Sequence, residues 1–428
     1  ELQKKLDDQV KLTEKISSQN GSGDEERISK FKMATVLFAD IQGFTKFSES
    51  EMSGDIIDEL DGIFFQFDTI VQKYNIEKIK TIGVTYMCTG GVPIKNITNP
   101  IDVVMAAIEM RHTLYNRNSI NADGEHIWDL RLGIHTGPVT VSTFGKKKVA
   151  YNIKGDTVNI ASRMQSAGKV GKITISVMTY ELVSEYFTCE YYGKMPVKYI
   201  GDVEMFNVVG LRPNLSSDTI GLVANGHFIT KYLLRQFADL QEIILDRLEK
   251  ELPSFLFYHN VKHTIDVINQ AELIGIGEGV NEEEILALKT AALFHDFGHI
   301  VAYDNHEFHG TMLAREYLPN YKYTAEQIDL ICQLIMATKL PPTPKTPVEK
   351  IICDSDLDYL GRSDFIPVSN TLFEELKAQN KITSLNDWNK IQVKFISNHQ
   401  YFTRTANSLR EVNKQKQIER IKSLITPD

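Results

Sequence analysis

The stretch "ATVLFADIQGFTKFSE", residues 34–49, decides how the first half of the chain is read. Its apolar run ends at Ala39 and is too short for a core helix, so it reads as a buried strand. Asp40 then falls at the end of a central strand. A carboxylate there can hold a hard cation through oxygen, although an Asp after a strand is commonly a turn or cap residue. "LRLGIHTGPVTVS" (130–142) reads as a second buried strand. "PIDVVMAAIEMRHTLYN" (100–116) and "DTVNIASRMQSAG" (156–168) read as helices, the first with Pro near its start. "KITISVMTYELVSEYF" (172–187) and "DVEMFNVVG" (202–210) complete an alternating α+β pattern that ends near Arg212.

On either side of this block the pattern changes. Leu2, Leu6, Val10 and Ile16 mark one face of a short coiled-coil stub, which "NGSGDEE" (20–26) breaks. Residues 1–30 are therefore a stub and linker, and 31–212 the α+β domain. "PNLSSDTIGLVANG" (213–226) reads as a linker by composition. Beyond it strand signals almost vanish, and 227–428 reads as all-helical.

The chain has 428 residues, enough for two or three domains with full cores. Its net charge of −9 argues against a nucleic-acid surface but not against anionic nucleotides, which a few local cations can gather. Cys88, Cys189, Cys332 and Cys353 form no C-x-x-C, which points to reduced thiols and a cytoplasmic setting. No apolar run of about 18 residues is present, so no membrane span is expected. The sequence opens at Glu1 without Met, which leaves room for an upstream sensor or membrane segment.

Four motifs follow in order: "FADIQGFTKFSE" (38–49), "KIKTIGVTYMCTGG" (78–91), "LRLGIHTGPV" (130–139) and "YNIKGDTVNIASRM" (151–164). Together they resemble the catalytic domain of class III nucleotidyl cyclases, a ferredoxin-like α+β fold. The resemblance implies a homodimer with sites shared between partners, and Mg²⁺ or Mn²⁺ with ATP or GTP. Asp40 matches the first metal-binding aspartate, and Ile41 supplies a backbone carbonyl. Lys80 and Asn152 match base-reading positions, with adenine the better guess from Lys80. Asn159 matches the ribose-orienting asparagine, Arg163 the arginine that stabilises the transferring phosphate, and Lys198 a triphosphate-binding lysine. The departure is Val84, which stands after Gly83 where the family has its second metal aspartate. Valine cannot ligate a hard cation. Losing one of two carboxylates costs several kcal/mol of charge stabilisation, hence orders of magnitude in rate. The domain therefore reads as a nucleotide-sensing or dimerising pseudo-cyclase, with residual cyclase activity as the alternative.

In the second half, six of the eleven histidines fall between His259 and His309. "FYHNVKH" (257–263) places His259 and His263 four apart, which puts them on one helical face. "LFHDFGH" (293–299) supplies His295, Asp296 and His299, and "ICDSDLDYLGR" (352–362) supplies Asp354, Asp356 and Asp358. Histidine with carboxylate suits Zn²⁺, Fe²⁺ or Mn²⁺, with a bridging Asp leading to a second site for Mg²⁺ or Mn²⁺.

This set resembles the HD superfamily of metal-dependent phosphohydrolases. "YHNVKHTIDV" (258–267) is close to the class I cyclic-nucleotide phosphodiesterases in particular. The resemblance implies that His263, His295, Asp296 and Asp356 are metal ligands and that His259 is the general acid for the departing 3′-oxygen. It gives His299 a supporting or second-metal role, with His306 and Glu307 assisting. Asp354 is expected behind the ligands rather than among them. The implied reaction is hydrolysis of a 3′,5′-cyclic nucleotide, cAMP or cGMP, with a nucleoside triphosphate as regulator through the first domain. A bifunctional enzyme, an HD enzyme acting on another nucleotide and a non-catalytic scaffold are the alternatives. The family sets a glutamine against the purine, and neither Gln392 nor Gln400 near "KFISNHQYFT" (394–403) sits in a clear matching motif.

Overall fold

The computed structural model describes residues 27–43, 54–118, 128–144, 150–197 and 201–426. The coiled-coil stub expected in residues 1–18 and the expected phosphate ligand Lys198 lie outside these ranges. The chain divides into two compact units, one ending at Ala224 and one starting at Asn225. The first is an α+β sheet domain and the second is helical, as the sequence pattern predicts.

The first unit is built on one sheet. Its strands are β1 (Arg27–Gln42), β2 (Glu77–Ile82), β3 (Thr85–Gly90), β4 (Asp129–Phe144), β5 (Ala150–Lys154), β6 (Ile173–Ser176), β7 (Phe187–Val197) and β8 (Gly201–Leu211). They run in the order β2-β3-β1-β4-β6-β8-β7, with β5 paired to β4. Four helices accompany them: α1 (Gly54–Lys73), α2 (Asn99–Asn118), α3 (Asp156–Ala167) and α4 (Val177–Val183). The central strand β1 is buried on both faces, as its unbroken apolar run requires. Alternate residues then face opposite layers. Ala34, Val36 and Phe38 share a core cluster with Ala161 of α3. Between them, Thr35 points the other way and donates to Asn99 of α2 at 2.6 Å. The same parity turns Asp40 towards α3. That helix lies so close to β4 that a Cβ on Gly133 would sit 1.9 Å from the backbone nitrogen of Gln165. "LRLGIHTG" needs its first glycine for this contact.

Two sequence-based boundaries shift. Residues 27–30, expected in the N-terminal linker, are the first residues of β1. Residues 213–224, expected as linker, form a folded strap. The Asp218 carboxylate accepts from the backbone N–H groups of Ile220, Leu222 and Val223 at 2.8–3.1 Å. Gly221, in the left-handed region at φ +72°, accepts through its carbonyl from the N–H of Leu211 at the end of β8. Turn-forming residues read as linker whether or not their hydrogen bonds close on a neighbour.

The second unit contains α5 (Gly226–Glu251), α6 (Val261–Glu278), α7 (Glu282–Phe294), α8 (His306–Tyr317), α9 (Ala325–Ala337), α10 (Pro347–Asp356), α11 (Phe365–Ala378), α12 (Leu385–Asn398) and α13 (Arg404–Lys422). Their starts are written in the sequence. Asn281, Thr324 and Thr346 each close a reciprocal capping box, with Glu284, Gln327 and Glu349. Gly279 ends α6 in the left-handed conformation. No described helix is long and apolar enough to cross a membrane.

A buried histidine gives the first unit a pH signature. His135 on β4 is 6% exposed, and its Nδ1 lies 2.6 Å from Ser176 Oγ. Burial lowers its pKa from 6.5 to about 4. The unfolded chain therefore binds a proton that the folded chain refuses. Stability from this residue is complete above pH 6.5, falls as the pH drops and levels off below about 4. At 1.36 kcal/mol per pKa unit the total is about 3 kcal/mol. His135→Gln is expected to flatten that slope. Urea midpoints between pH 7 and 4, read from Trp128 fluorescence in a Trp388→Phe background, test this; an unchanged slope would refute it.

Candidate functional site

Asn260 is the residue that aims the histidines of "FYHNVKH". Its side chain accepts from the N–H groups of Lys262 and His263, which starts α6 at Val261. His259 thus lies before the helix, and the expectation that it shares a helical face with His263 is corrected. The two rings are perpendicular with centroids 6.1 Å apart. His295 follows the last residue of α7, and a short 3₁₀ turn at Phe297–Ile300 carries His299. Gly298 makes that turn possible, since a Cβ there would lie 1.9 Å from the carbonyl oxygen of His306. Asp356 is the last residue of α10.

Four side chains from three helix ends meet at one point. His263 Nε2 lies 3.3 Å from His295 Nε2, 3.2 Å from Asp356 Oδ1 and 3.4 Å from Asp296 Oδ2. His295 Nε2 lies 3.1 Å from Asp296 Oδ2 and 3.5 Å from Asp356 Oδ1. With metal–ligand bonds of about 2.0–2.2 Å, donor atoms on one coordination shell stand roughly 3.0–3.5 Å apart. His295 Nδ1 donates to the Ala292 carbonyl at 2.8 Å, which leaves its Nε2 lone pair facing the centre. Asp296 Oδ1 faces a second group, with His306 Nε2 at 3.4 Å and His299 Nε2 at 3.9 Å. Glu307 Oε1 lies 3.5 Å from His306 Nε2.

The electrostatics suit ligation. Burial opposes ionisation of Asp296, but His295, His259 and His263 outweigh it and hold the carboxyl well below its usual range. Asp356 is lowered likewise, by His263 and His295 against burial. Burial pushes His299 down to about 3, so its ring is neutral. Both His299 ring nitrogens are buried without a hydrogen-bond partner. Buried polar atoms are seldom left so, and a divalent cation would satisfy them. The residues present fit two such ions, one group being His263, His295 and Asp356, the other His259, Asp296 and His299.

The cluster forms one wall of a cavity of about 470 Å³. Leu360, Phe365, Leu372, Trp388, Phe395 and Ile396 supply the apolar remainder, and Gln392 is a polar group among them. Gln392 Oε1 accepts from Ser369 Oγ, which in turn accepts from Trp388 Nε1 at 3.2 Å. Gln400 lines a neighbouring cavity instead. Asp354 turns away from the cluster and accepts from Phe402 N–H and from the N–H and hydroxyl of Thr403, at the start of α13. The sequence reading missed Glu375. This fully buried α11 carboxylate accepts from the backbone N–H groups of Tyr258 and His259 and meets His259 Nδ1 at 2.6 Å. Burial would lower the pKa of His259, but Asp296 and Glu375 raise it. Nothing in "FEELK" (373–377) distinguishes Glu375 from the surface acid beside it.

In the first unit the expected residues are spread out. Lys80 is exposed on β2 and Asn152 lies on β5 opposite Ser142. Asn159 and Arg163 are exposed on α3, one turn apart, with Arg163 Nη1 3.3 Å from the Pro196 carbonyl. Among the described residues none of these four bonds to Asp40. Asp40 accepts instead from Thr85 Oγ1 at 2.6 Å, Gln165 Nε2 at 3.1 Å, Arg131 Nη2 at 3.3 Å and Gln42 Nε2. Ile41 donates its N–H to the Val84 carbonyl at 3.1 Å.

Residues 26–210 match the profile of the adenylate and guanylate cyclase catalytic domain, and residues 260–358 match that of the HD domain. Guanylate cyclase 32E of Drosophila melanogaster is 31% identical over 205 residues, which are 47% of this chain and 18% of that protein. An adenylate cyclase of Mycobacterium tuberculosis is 33% identical over 181 residues, 42% of this chain and 40% of that protein. The chain thus spans less than half the length of either. The crystal structure of the adenylyl cyclase CyaB from P. aeruginosa is 32% identical, with 44% of this chain and 100% of that chain covered and a TM-score of 0.40.

A cation held by the second unit must stabilise it. Mn²⁺ or Zn²⁺ at a hundred times its dissociation constant adds about 2.7 kcal/mol to a fold that alone binds it. Calorimetry of the metal-stripped full chain is expected to show the second unit's transition rise on adding either ion. Asp296→Asn is expected to remove most of that rise, and an equal rise in the variant would count against the site.

Proposed function

Because residues 26–210 match the cyclase catalytic-domain profile and residues 260–358 match that of the HD domain, we propose that the second unit hydrolyses a 3′,5′-cyclic nucleotide to the 5′-monophosphate. The observation that carries this reading is the meeting of two kinds of group on one cavity wall. A ligand set of His263, His295, Asp296 and Asp356 stands beside a histidine, His259, whose Nδ1 is held by the buried Glu375 carboxylate. The first supports metal-dependent phosphoryl chemistry; the second supports a proton donor. Hydrolysis of a cyclic phosphodiester needs both.

His263, His295, Asp296 and Asp356 would hold one divalent ion, and Asp296 would lead to a second with His299 and His306. Bound there, such ions lower the pKa of water and neutralise charge on phosphate. The protein's own residues account for the rest. A water oxygen attacks phosphorus in line with the 3′-oxygen, and the P–O3′ bond breaks. The departing oxygen needs a proton, and His259 is the donor. Glu375 accepts from Nδ1, so Nε2 is the nitrogen that faces the cavity and carries the transferable proton. The same carboxylate fixes the ring by binding the His259 backbone N–H. Phe365, Trp388, Phe395 and Ile396 offer an apolar slot for a flat base, and Gln392 offers one amide within it. The cavity volume of about 470 Å³ lies in the range of small-molecule sites. The cyclase-like unit is read as a regulator that binds a nucleoside triphosphate or pairs two chains. It can shift the second unit only by its differential affinity for two states.

The test is hydrolysis of cAMP and cGMP by the full chain with Mn²⁺, Mg²⁺ or Zn²⁺, each with and without ATP or GTP. The 5′-monophosphate is expected from at least one substrate, and Asp296→Ala is expected to abolish it. Glu375→Gln is expected to lower kcat by about 10²–10³-fold with little change in KM, since it disturbs general acid catalysis more than binding. If neither cyclic nucleotide is hydrolysed with any of the three metals, the assignment fails.

A further inference from the structure

Asp40 stands where the cyclase family holds a cation, and its surroundings do not fit one. Its Oδ1 accepts from Thr85 Oγ1 at 2.6 Å. Its Oδ2 accepts from Gln165 Nε2 at 3.1 Å, Arg131 Nη2 at 3.3 Å and Gln42 Nε2. These donors come from β3, α3, β4 and β1 itself. The sheet register sets two of them directly opposite Asp40, pairing it with Thr85 on one side and Arg131 on the other. A carboxylate offers about four lone-pair sites, and four donors converge on this one. Its charge is already met by a guanidinium, which reaches on to the Ser166 carbonyl at 3.4 Å. The side chain after Gly83 is Val84, which brings no oxygen. The Val84 carbonyl already receives the Ile41 N–H.

Mg²⁺ and Mn²⁺ require open oxygen ligands in near-octahedral array. To enter, such an ion would have to share Oδ1 with the Thr85 hydroxyl and lie near the Arg131 guanidinium, cation beside cation. We propose that the first unit takes its nucleotide without a divalent cation, with Arg131 as the fixed positive charge at Asp40. The ligand class is a purine nucleoside triphosphate. Its phosphates would be met by Arg131 and by the exposed Arg163, and its base by Lys80 and Asn152. This rests on the reading of the first unit as nucleotide-binding, and goes beyond it by removing the metal. It also accounts for an Asp40 kept beside a Val84. The carboxylate ties four elements together whether or not it ever ligates.

The experiment uses the full chain carrying Asp296→Asn, which silences the second unit. The probes are 3′-deoxy-ATP and 3′-deoxy-GTP, which lack the hydroxyl that cyclisation needs. Binding is measured by calorimetry in EDTA and again in millimolar Mn²⁺. At least one probe is expected to bind with a Kd that agrees between the two conditions within about threefold. Arg131→Ala, checked for folding by Trp128 fluorescence, is expected to weaken binding in EDTA by about tenfold or more. Tightening of about tenfold or more by Mn²⁺ would overturn the cation-free site and leave nucleotide binding standing. An unchanged affinity in folded Arg131→Ala would overturn the role of Arg131. Binding of neither probe in either condition would overturn both the inference and the nucleotide-binding reading beneath it.

Discussion

The second unit depends on holding two imidazole nitrogens within 3.5 Å of each other and of two carboxylates in a buried place. No arrangement of protons satisfies such a group at low cost, because burial penalises each charge and the lone pairs face one another. The chain accepts the crowding because separate devices enforce it. The Asn260 cap fixes the first turn of α6. Gly298 lets the 3₁₀ turn rest on the backbone at His306. Asp354 ties the end of α10 to the start of α13, and Asp358, just past Asp356, pairs with Arg410 at 2.6 Å. None of these residues touches a reacting atom, yet each restricts where a ligand can stand.

Set beside that cluster, the first unit's Asp40 shows the opposite condition. Its oxygens are met by a hydroxyl, two amides and a guanidinium, and a network so closed behaves as a structural node. His299 in the second unit keeps buried ring nitrogens that the protein leaves unmatched. A polar group that the fold itself satisfies rigidifies the fold, whereas one left unsatisfied in a cavity wall marks where something else binds. By this criterion the second unit is where a metal fits, and the cyclase-like unit holds at Asp40 a carboxylate that its own donors already satisfy.

Much of this was legible in the sequence, for identifiable reasons. Strand β1 announced itself because a strand buried on both faces needs an unbroken apolar run. The helical second half announced itself because strand signals almost vanish beyond residue 226, while the caps at Asn281, Thr324 and Thr346 that start three of its helices come from the structure. The residues His263, His295, Asp296 and Asp356 stand out through the resemblance to the HD superfamily, and the fold brings them together. What stayed hidden is what only tertiary packing decides. Glu375 is one acid in an ordinary amphipathic helix until α11 is laid against Tyr258 and His259. Gln392 and Gln400 are equivalent until α12 turns one into the cavity and leaves the other outside it. The donors around Asp40 come from four elements, and no local pattern links Gln165 to residue 40. The strap at 213–224 misled because turn-forming composition is the same in a free linker and in a segment whose hydrogen bonds close on β8. The pairing of His259 with His263 on one helical face misled because spacing was read without the cap between them.

The proposed reading separates recognition from reaction. A cyclase-like unit that releases the metal loses the means to make a cyclic nucleotide, but base and phosphate recognition do not require it. In that reading the exposed Lys80 and Arg163 and the half-buried Asn152 would serve binding alone, which suffices for a regulator. Such a regulator gains from being free of metal. Its occupancy would follow the nucleoside triphosphate alone and not the divalent ions on which the second unit depends. The two units could then respond to different inputs, one to nucleotide supply and the other to metal and cyclic nucleotide. Fusing them in one chain makes each nucleotide-bound state of the first unit a candidate weight on the second, with a size set only by the difference in its affinity for the two states.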